Sequence, residues 1–289
     1  MTELASGPIA ICGTGAIARS FGRVLAHTQE KLFIVSRDVD RAQEAAMYVG
    51  GSAEPSTYGN LPPNLGHILI AVTEQAIRSV AESLAASISV RVALHTSGTF
   101  DVEVLAPLQS GGAACGSIHP LQTLSKRNAD AAALRGVAFA VSGDEPAVTW
   151  AHEIARRAHG EVIPIAKDLK PLYHAAAVLA SNYVTALIGA SETVLSHAGI
   201  AEEDARRILR PLVQTTVENA LTDGPAAALT GPIIRGDQNT VRSHLRALTR
   251  LPTVDRLYRA AGLQTLELAK TRGLDDFSVD SLCSLLSER

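Results

Sequence analysis

Lys170, His174 and Ser181 place an ammonium, an imidazole and a hydroxyl at spacings that a helix turns onto one face. At about 100° per residue they fall within about 40° of one another. Such a trio can supply a proton and orient a polar group. Ala175, Ala176, Ala177 and Ala180 keep the surrounding surface small, so a polar stripe crosses an otherwise apolar helix. Asp168 is a natural N-cap, and Pro171 suits a first turn, where its missing N–H costs nothing. Lys170 then stands in the first turn, where the macrodipole disfavours an ammonium. A residue that local physics disfavours is a candidate for function. The alternative is that Lys170 snorkels to water and His174 is a satisfied interior histidine.

The elements that must position these groups are those of a chain longer than one ordinary domain. Its 289 residues, 46% of them hydrophobic and 4% aromatic, predict two domains without staples. A net charge of −3 offers no basic footprint, so nucleic acid is not an expected partner. Cys12, Cys115 and Cys283 are scattered without metal-type spacing, which predicts no metal site and suits a reducing cytoplasm. The apolar run from Pro8 to Ala18 is too short to span a bilayer and contains two glycines, so no membrane anchoring is expected.

Pro8 to Cys12 reads as a buried strand that runs into Gly13-Thr14-Gly15-Ala16-Ile17-Ala18 and an amphipathic helix. This is the strand, glycine turn, helix order of a dinucleotide site, with Ala18 in place of a third glycine. Gly13 permits the turn, Gly15 lets a pyrophosphate approach, and the helix N-terminus attracts its charge. The second strand, Leu32 to Val35, ends in Ser36-Arg37, where NAD sites usually carry an acidic residue. A guanidinium and a hydroxyl suit a 2′-phosphate, so NADP(H) is the predicted cofactor.

Further strands are predicted at Ile68–Val72, Val90–His95, Val137–Val141 and Val162–Ile165, alternating with helices. The predicted class is α/β, a Rossmann-type doubly wound sheet, over residues 1–166. Thr73, His95, Thr96 and Ser97 would face the cofactor crevice beyond the strand ends, against the alternative of plain turn chemistry. His119, held extended before Pro120, with Gln122 and Thr123, is read as lining the active cleft, against the alternative of a plain structural loop. From Asp168 the strand signals stop, and residues 167–289 are predicted to be an all-helical domain for substrate and dimerisation. Within it, a loop framed by Gly231, Pro232 and Gly236 displays Arg235, suited to clamping a carboxylate. Asp237 can cap the next helix, which leaves Asn239 and Thr240 unexplained by capping.

Together, the N-terminal turn, His119-Pro120-Leu121-Gln122-Thr123, the Lys170-Pro171-Leu172-Tyr173-His174 helix start with Ser181-Asn182, and the Thr230 to Asp237 loop resemble a family of Rossmann-like NADP oxidoreductases with a C-terminal DUF2520 domain. More distantly, the chain is similar to pyrroline-5-carboxylate reductase, ketopantoate reductase and the 6-phosphogluconate and 3-hydroxyisobutyrate dehydrogenases. The hydroxyacid dehydrogenase resemblance implies a general acid at Lys170 and, four residues later, a substrate-holding asparagine that is here replaced by His174. The pyrroline-5-carboxylate reductase resemblance implies a substrate contact at Thr240.

The predicted reaction is therefore hydride transfer from NADPH to a small C=O or C=N group. Lys170 supplies the proton with His174, and His119, Gln122, Ser181, Asn182, Arg235 and Thr240 hold the substrate. Ketopantoate is the first substrate expected, and cyclic-imine reduction is the alternative. A non-catalytic NADP-binding regulatory protein is the rival from another class. The helix from Asp168 to His197, about 29 residues or about 43 Å if unbroken, exceeds what one small domain covers, so a homodimer is expected.

Overall fold

Short apolar runs bounded by glycine, proline and polar turns form eight strands: β1 (Ile9–Cys12), β2 (Leu32–Val35), β3 (Ala53–Ser56), β4 (Asn64–Ile70), β5 (Ser89–His95), β6 (Ala114–Pro120), β7 (Ala138–Gly143) and β8 (Glu161–Pro164). They belong to a computed structural model that describes residues 7–28, 30–125 and 130–287. The strand order is β3-β2-β1-β4-β5-β6-β7-β8. Neighbours are parallel except β6 and β7, which pair antiparallel with Ser117 opposite Ser142. Parallel strands are covered on both faces, which is why β1 and β2 are apolar and buried at every position.

Helices α1 (Ala16–Leu25), α2 (Val39–Val49), α3 (Glu74–Ala85), α4 (Ala106–Ser110) and α5 (Glu145–Arg157) supply that cover. Phe21, Val49 and Trp150 pack with Ile9, Ile11 and Leu69 in one core, while Ile77, Leu84 and Leu108 pack with Ala10, Ile68 and Ile70 in another. Successive strand residues point to opposite faces, so these are the two sides of a doubly wound sheet, as the sequence predicts. Strand order reverses between β1 and β4, and Gly13 and Thr73 follow their carboxyl ends.

The helix expected from Asp168 to His197 is two helices, α6 (Lys170–Ala180) and α7 (Asn182–His197). Ser181, with φ −123° and ψ −73°, leaves helical geometry, and its Oγ bonds Thr123 Oγ1 at 2.8 Å. Small hydroxyl side chains offer such alternatives to helical continuity, and no glycine or proline announced this one. Asp168 is not the cap either: it lies in a 3-10 turn, Lys167–Leu169, and Leu169 precedes α6 without a side-chain cap bond. The chain divides into two compact units between Ser181 and Asn182, so α6 belongs with the sheet, later than the loss of strand signal suggested. The stretch 167–197 is long and apolar enough, by length and composition, to cross a membrane. Its Lys170 is nevertheless buried within the first unit.

The second unit contains α7, α8 (Glu202–Thr222), α9 (Pro225–Ala228), α10 (Gln238–Leu248), α11 (Pro252–Thr271) and α12 (Asp276–Ser287). Val241, Leu245, Leu266, Leu282 and Leu286 form its core. Among the described residues, α7 buries none and α8 only Ala205.

Candidate active site

Gly13 has φ +130°, and a Cβ there would lie 2.2 Å from the Ala71 carbonyl oxygen, so only glycine makes this turn. Gly15 is the N-cap of α1, and a Cβ on it would meet nothing within 4 Å. The space before the helix N-terminus is therefore open, with no acidic residue in the first turn and no side chain on the cap. Thr14, Ala16 and Ile17 are half-buried around it. At the end of β2, Ser36 Oγ accepts the Asp38 N–H at 3.2 Å. Arg37 is exposed and, among the described residues, forms no ion pair. Thr73 is exposed at the start of α3 with no side-chain cap bond. Unclaimed N–H groups, an open approach and an unpaired guanidinium fit a dinucleotide carrying a 2′-phosphate.

Ser97 departs from the expected role. Its Oγ donates to the Glu74 carboxylate and accepts the N–H groups of Thr99 and Phe100 at 3.1 and 2.9 Å. A hydroxyl has one proton and two lone pairs, so this one is used up in folding its own loop. The loop it shapes, Ser97-Gly98-Thr99, follows β5 on the same sheet edge as the glycine turn.

Lys170 stands under that loop, only 2% exposed. Its ammonium donates to Ser117 Oγ at 2.7 Å and approaches the Ser97 carbonyl oxygen at 3.5 Å. Burial brings its pKa down to about 8, against the opposing charges of Asp101 and Glu74. His95 accepts the Ser97 N–H on Nδ1 at 3.1 Å and faces the Asp101 carbonyl with Nε2 at 3.2 Å, which fixes a neutral tautomer. Burial first, and Lys170 second, lower its pKa to about 3. His95 thus holds the loop in shape.

On the open side of the loop, His119 Nδ1 lies 3.0 Å from the Tyr173 hydroxyl, and the His119 and His174 rings meet edge-on at 5.7 Å. A Cβ built on Gly98 would lie 2.6 Å from His174 Nδ1 and 2.9 Å from His119 Nε2. Two imidazole nitrogens therefore converge beside one glycine, and His174 Nδ1 is buried with no hydrogen-bond partner among the described residues. Burial, then the charges of His174 and Lys170, take His119 down to about 4. Burial raises Tyr173 to about 12. With the phenol donating to Nδ1, the proton of neutral His119 sits on Nε2, toward Gly98.

The sequence reading thus finds Lys170, His174 and His119, which the fold brings together, but misses Ser117, Tyr173 and Gly98. Ser117 was signalled by its place two residues before His119, on the same strand face. Gln122 is exposed, with Oε1 on the Thr123 N–H at 2.8 Å. Ser181 bonds Thr123, as described. In the second unit, Asn182 is exposed at the start of α7, and Arg235 is exposed on its loop. Thr240, which capping was expected to leave unexplained, takes part in it: its hydroxyl and N–H both bond Asp237, at 2.6 and 3.0 Å, and complete the cap of α10.

Residues 8–120 match a family model described as a Rossmann-like domain, and residues 137–265 match one described as a domain of unknown function, DUF2520. The chain thus matches a Rossmann-like domain over its first part and DUF2520 over its second. Gly98, Ser117 and His119 lie in the Rossmann-like match, while Lys170, Tyr173 and His174 lie in DUF2520, so the cluster draws on both. No curated protein matches the chain. Among solved structures it is similar to BF3122 from Bacteroides fragilis, provisionally described as an NADP oxidoreductase, with 23% identity and a TM-score of 0.74 over 92% of this chain and all of that one. Protein TM1727 from Thermotoga maritima shares 26% identity with a TM-score of 0.71, over 91% of this chain and 99% of the other. A pyrroline-5-carboxylate reductase from Coxiella burnetii, at 15% identity and TM-score 0.59, covers 97% of this chain with 99% of its own and shares the fold.

Proposed function

We propose that this Rossmann-like DUF2520 protein is an NADPH-dependent reductase that delivers hydride to a small carboxylate-bearing 2-keto acid, ketopantoate first. One observation carries the reading: the open glycine turn and the Lys170, His119 and His174 cluster occupy the same carboxyl edge of one sheet, within one compact unit. The Gly13 to Ile17 turn would hold the pyrophosphate, Ser36 and Arg37 the 2′-phosphate, and Thr73 the rim. When bound, NADPH supplies the hydride. A structural neighbour described with NADP bound, the pyrroline carboxylate reductase of Plasmodium falciparum, supports the cofactor.

As hydride reaches a carbonyl carbon, charge grows on oxygen and calls for donors and a proton. At pH 7 Tyr173, near 12, and His119, near 4, hold fixed protonation states. Lys170, near 8, is charged at pH 7 and holds a proton it can transfer. His119 and His174 hydrogen-bond the substrate beside Gly98. Cyclic-imine reduction would use the same proton, and the fold shared with pyrroline-5-carboxylate reductases supports it as the second reading. The buried, unpaired thiols of Cys12 and Cys115 support a cytoplasmic setting, and the apolar surface of α7 and α8 supports a homodimer.

The test is NADPH oxidation followed by absorbance, over ketopantoate, other branched 2-keto acids and cyclic imines. Turnover on one of them is expected, and Lys170→Ala should lower kcat at least 100-fold while NADPH binding changes less than threefold. Saturable NADPH binding with no turnover on any of them would favour the regulatory protein, and an unchanged kcat would remove Lys170 from the chemistry.

A further inference from the structure

Lys170 is enclosed, yet a group that gives up a proton in each turnover must regain one. The contacts around it leave few routes. The Ser97 carbonyl accepts a hydrogen bond but carries no proton, and both His95 nitrogens are committed to their own loop. Asp101 and Glu74 act on the ammonium through charge. Ser117 differs: its hydroxyl, 1% exposed, lies 2.7 Å from Lys170 Nζ and 2.9 Å from Ser142 Oγ. Ser117 and Ser142 are opposed in the β6–β7 register, which keeps their side chains on one face. Ser142 is half-buried and lines a separate cleft of about 630 Å³, together with Asp101, Asp144, His152 and Lys167.

We propose that Ser117 and Ser142 form a proton relay that recharges Lys170 from the water of this second cleft. The inference rests on the reading of Lys170 as proton donor. Simple satisfaction of a buried ammonium needs only acceptors, and carbonyls would serve. Here each link is a hydroxyl, which both donates and accepts, and the line runs without interruption from the amine to a solvent-facing side chain. In the recharging step the neutral amine takes the Ser117 proton, Ser117 takes that of Ser142, and Ser142 takes one from a hydronium ion in the cleft. One N–H bond forms, one water is released, and both serines end as hydroxyls.

The chain has five lysines, so the Lys170 ammonium can be followed by nuclear magnetic resonance in protein labelled with ¹⁵N-lysine, and assigned by its loss in Lys170→Arg. Its hydrogen exchange with water reads the relay without any substrate. Ser142→Val should slow that exchange at least tenfold, the smaller Ser142→Ala at least threefold, and Ser142→Thr, which keeps the hydroxyl, should exchange as the parent does. Parent rates in whichever of the first two variants folds, or slowing that threonine fails to restore, would overturn the relay. Absence of turnover on every substrate would count against the reductase and leave the exchange result standing.

Discussion

Two physical effects oppose the charge on Lys170: it is buried, and it stands in the first turn of α6. Its proton is correspondingly available, and the sign of the pH dependence follows. Reduction needs the ammonium, so kcat/KM should be level below about 8 and fall about tenfold per pH unit above it. A profile flat to pH 10 would remove Lys170 as the acid. Arg37 makes the second prediction at this scale. Arg37→Ala should weaken NADPH binding at least tenfold and NADH binding less than twofold, measured by fluorescence titration, because a guanidinium with no ion pair among the described residues is available to the 2′-phosphate that NADH lacks. Both residues were legible as types out of place, an ammonium in a first turn and a guanidinium where an acid is usual. Gly98 and Tyr173 were not legible. What matters in them is convergence, with Tyr173 and His119 54 residues apart in the chain.

Six of the eight strands were read from the sequence because strands covered on both faces leave continuous apolar runs, whereas β3 and β6 were not, their glycine, proline and polar residues interrupting any such run. The break in the helix after Ala180 was hidden, since it comes from a hydroxyl contact with Thr123. The polar residues inside strands carry a further consequence. His67 on β4 is 5% exposed, stacked on Trp150 at 4.6 Å between centroids, and its Nδ1 has no hydrogen-bond partner among the described residues. Burial, helped by Arg91, lowers its pKa to about 4 from 6.5. The unfolded chain therefore binds a proton between these values when the folded chain does not. The stability this preserves is complete above about 6.5 and lost as pH falls through about 4. In urea unfolding, ΔG should drop across that window by up to about 1.4 kcal/mol per pH unit for this one group. His67→Phe keeps the stacking and should flatten the slope by that amount; an unchanged slope would show that His67 does not contribute.

In the second unit the apolar residues outnumber the places that bury them. Its core lies among α10, α11 and α12, whereas α7 and α8 leave Tyr183, Leu187, Leu212 and Leu221 exposed, the last at 80%. Beside them an apolar hollow of about 430 Å³ is lined by Leu187, Val194, Leu209 and Leu257, with His244 and Tyr258 bonded to each other at its edge. Contiguous apolar surface on this scale marks an interaction site. A second copy is the simplest cover, because two-fold symmetry presents the same helices and hollow to each other, and stable interfaces bury about 1,200–2,000 Å² in total. Light scattering at micromolar concentration should then give near twice the chain mass of 30.3 kDa. Leu212→Glu places a charge on that exposed face and should shift the protein to the single-chain mass with its helical circular dichroism retained. A parent protein that is already monomeric would refute the dimer while leaving the Lys170 cluster untouched, since that cluster is complete within the first unit.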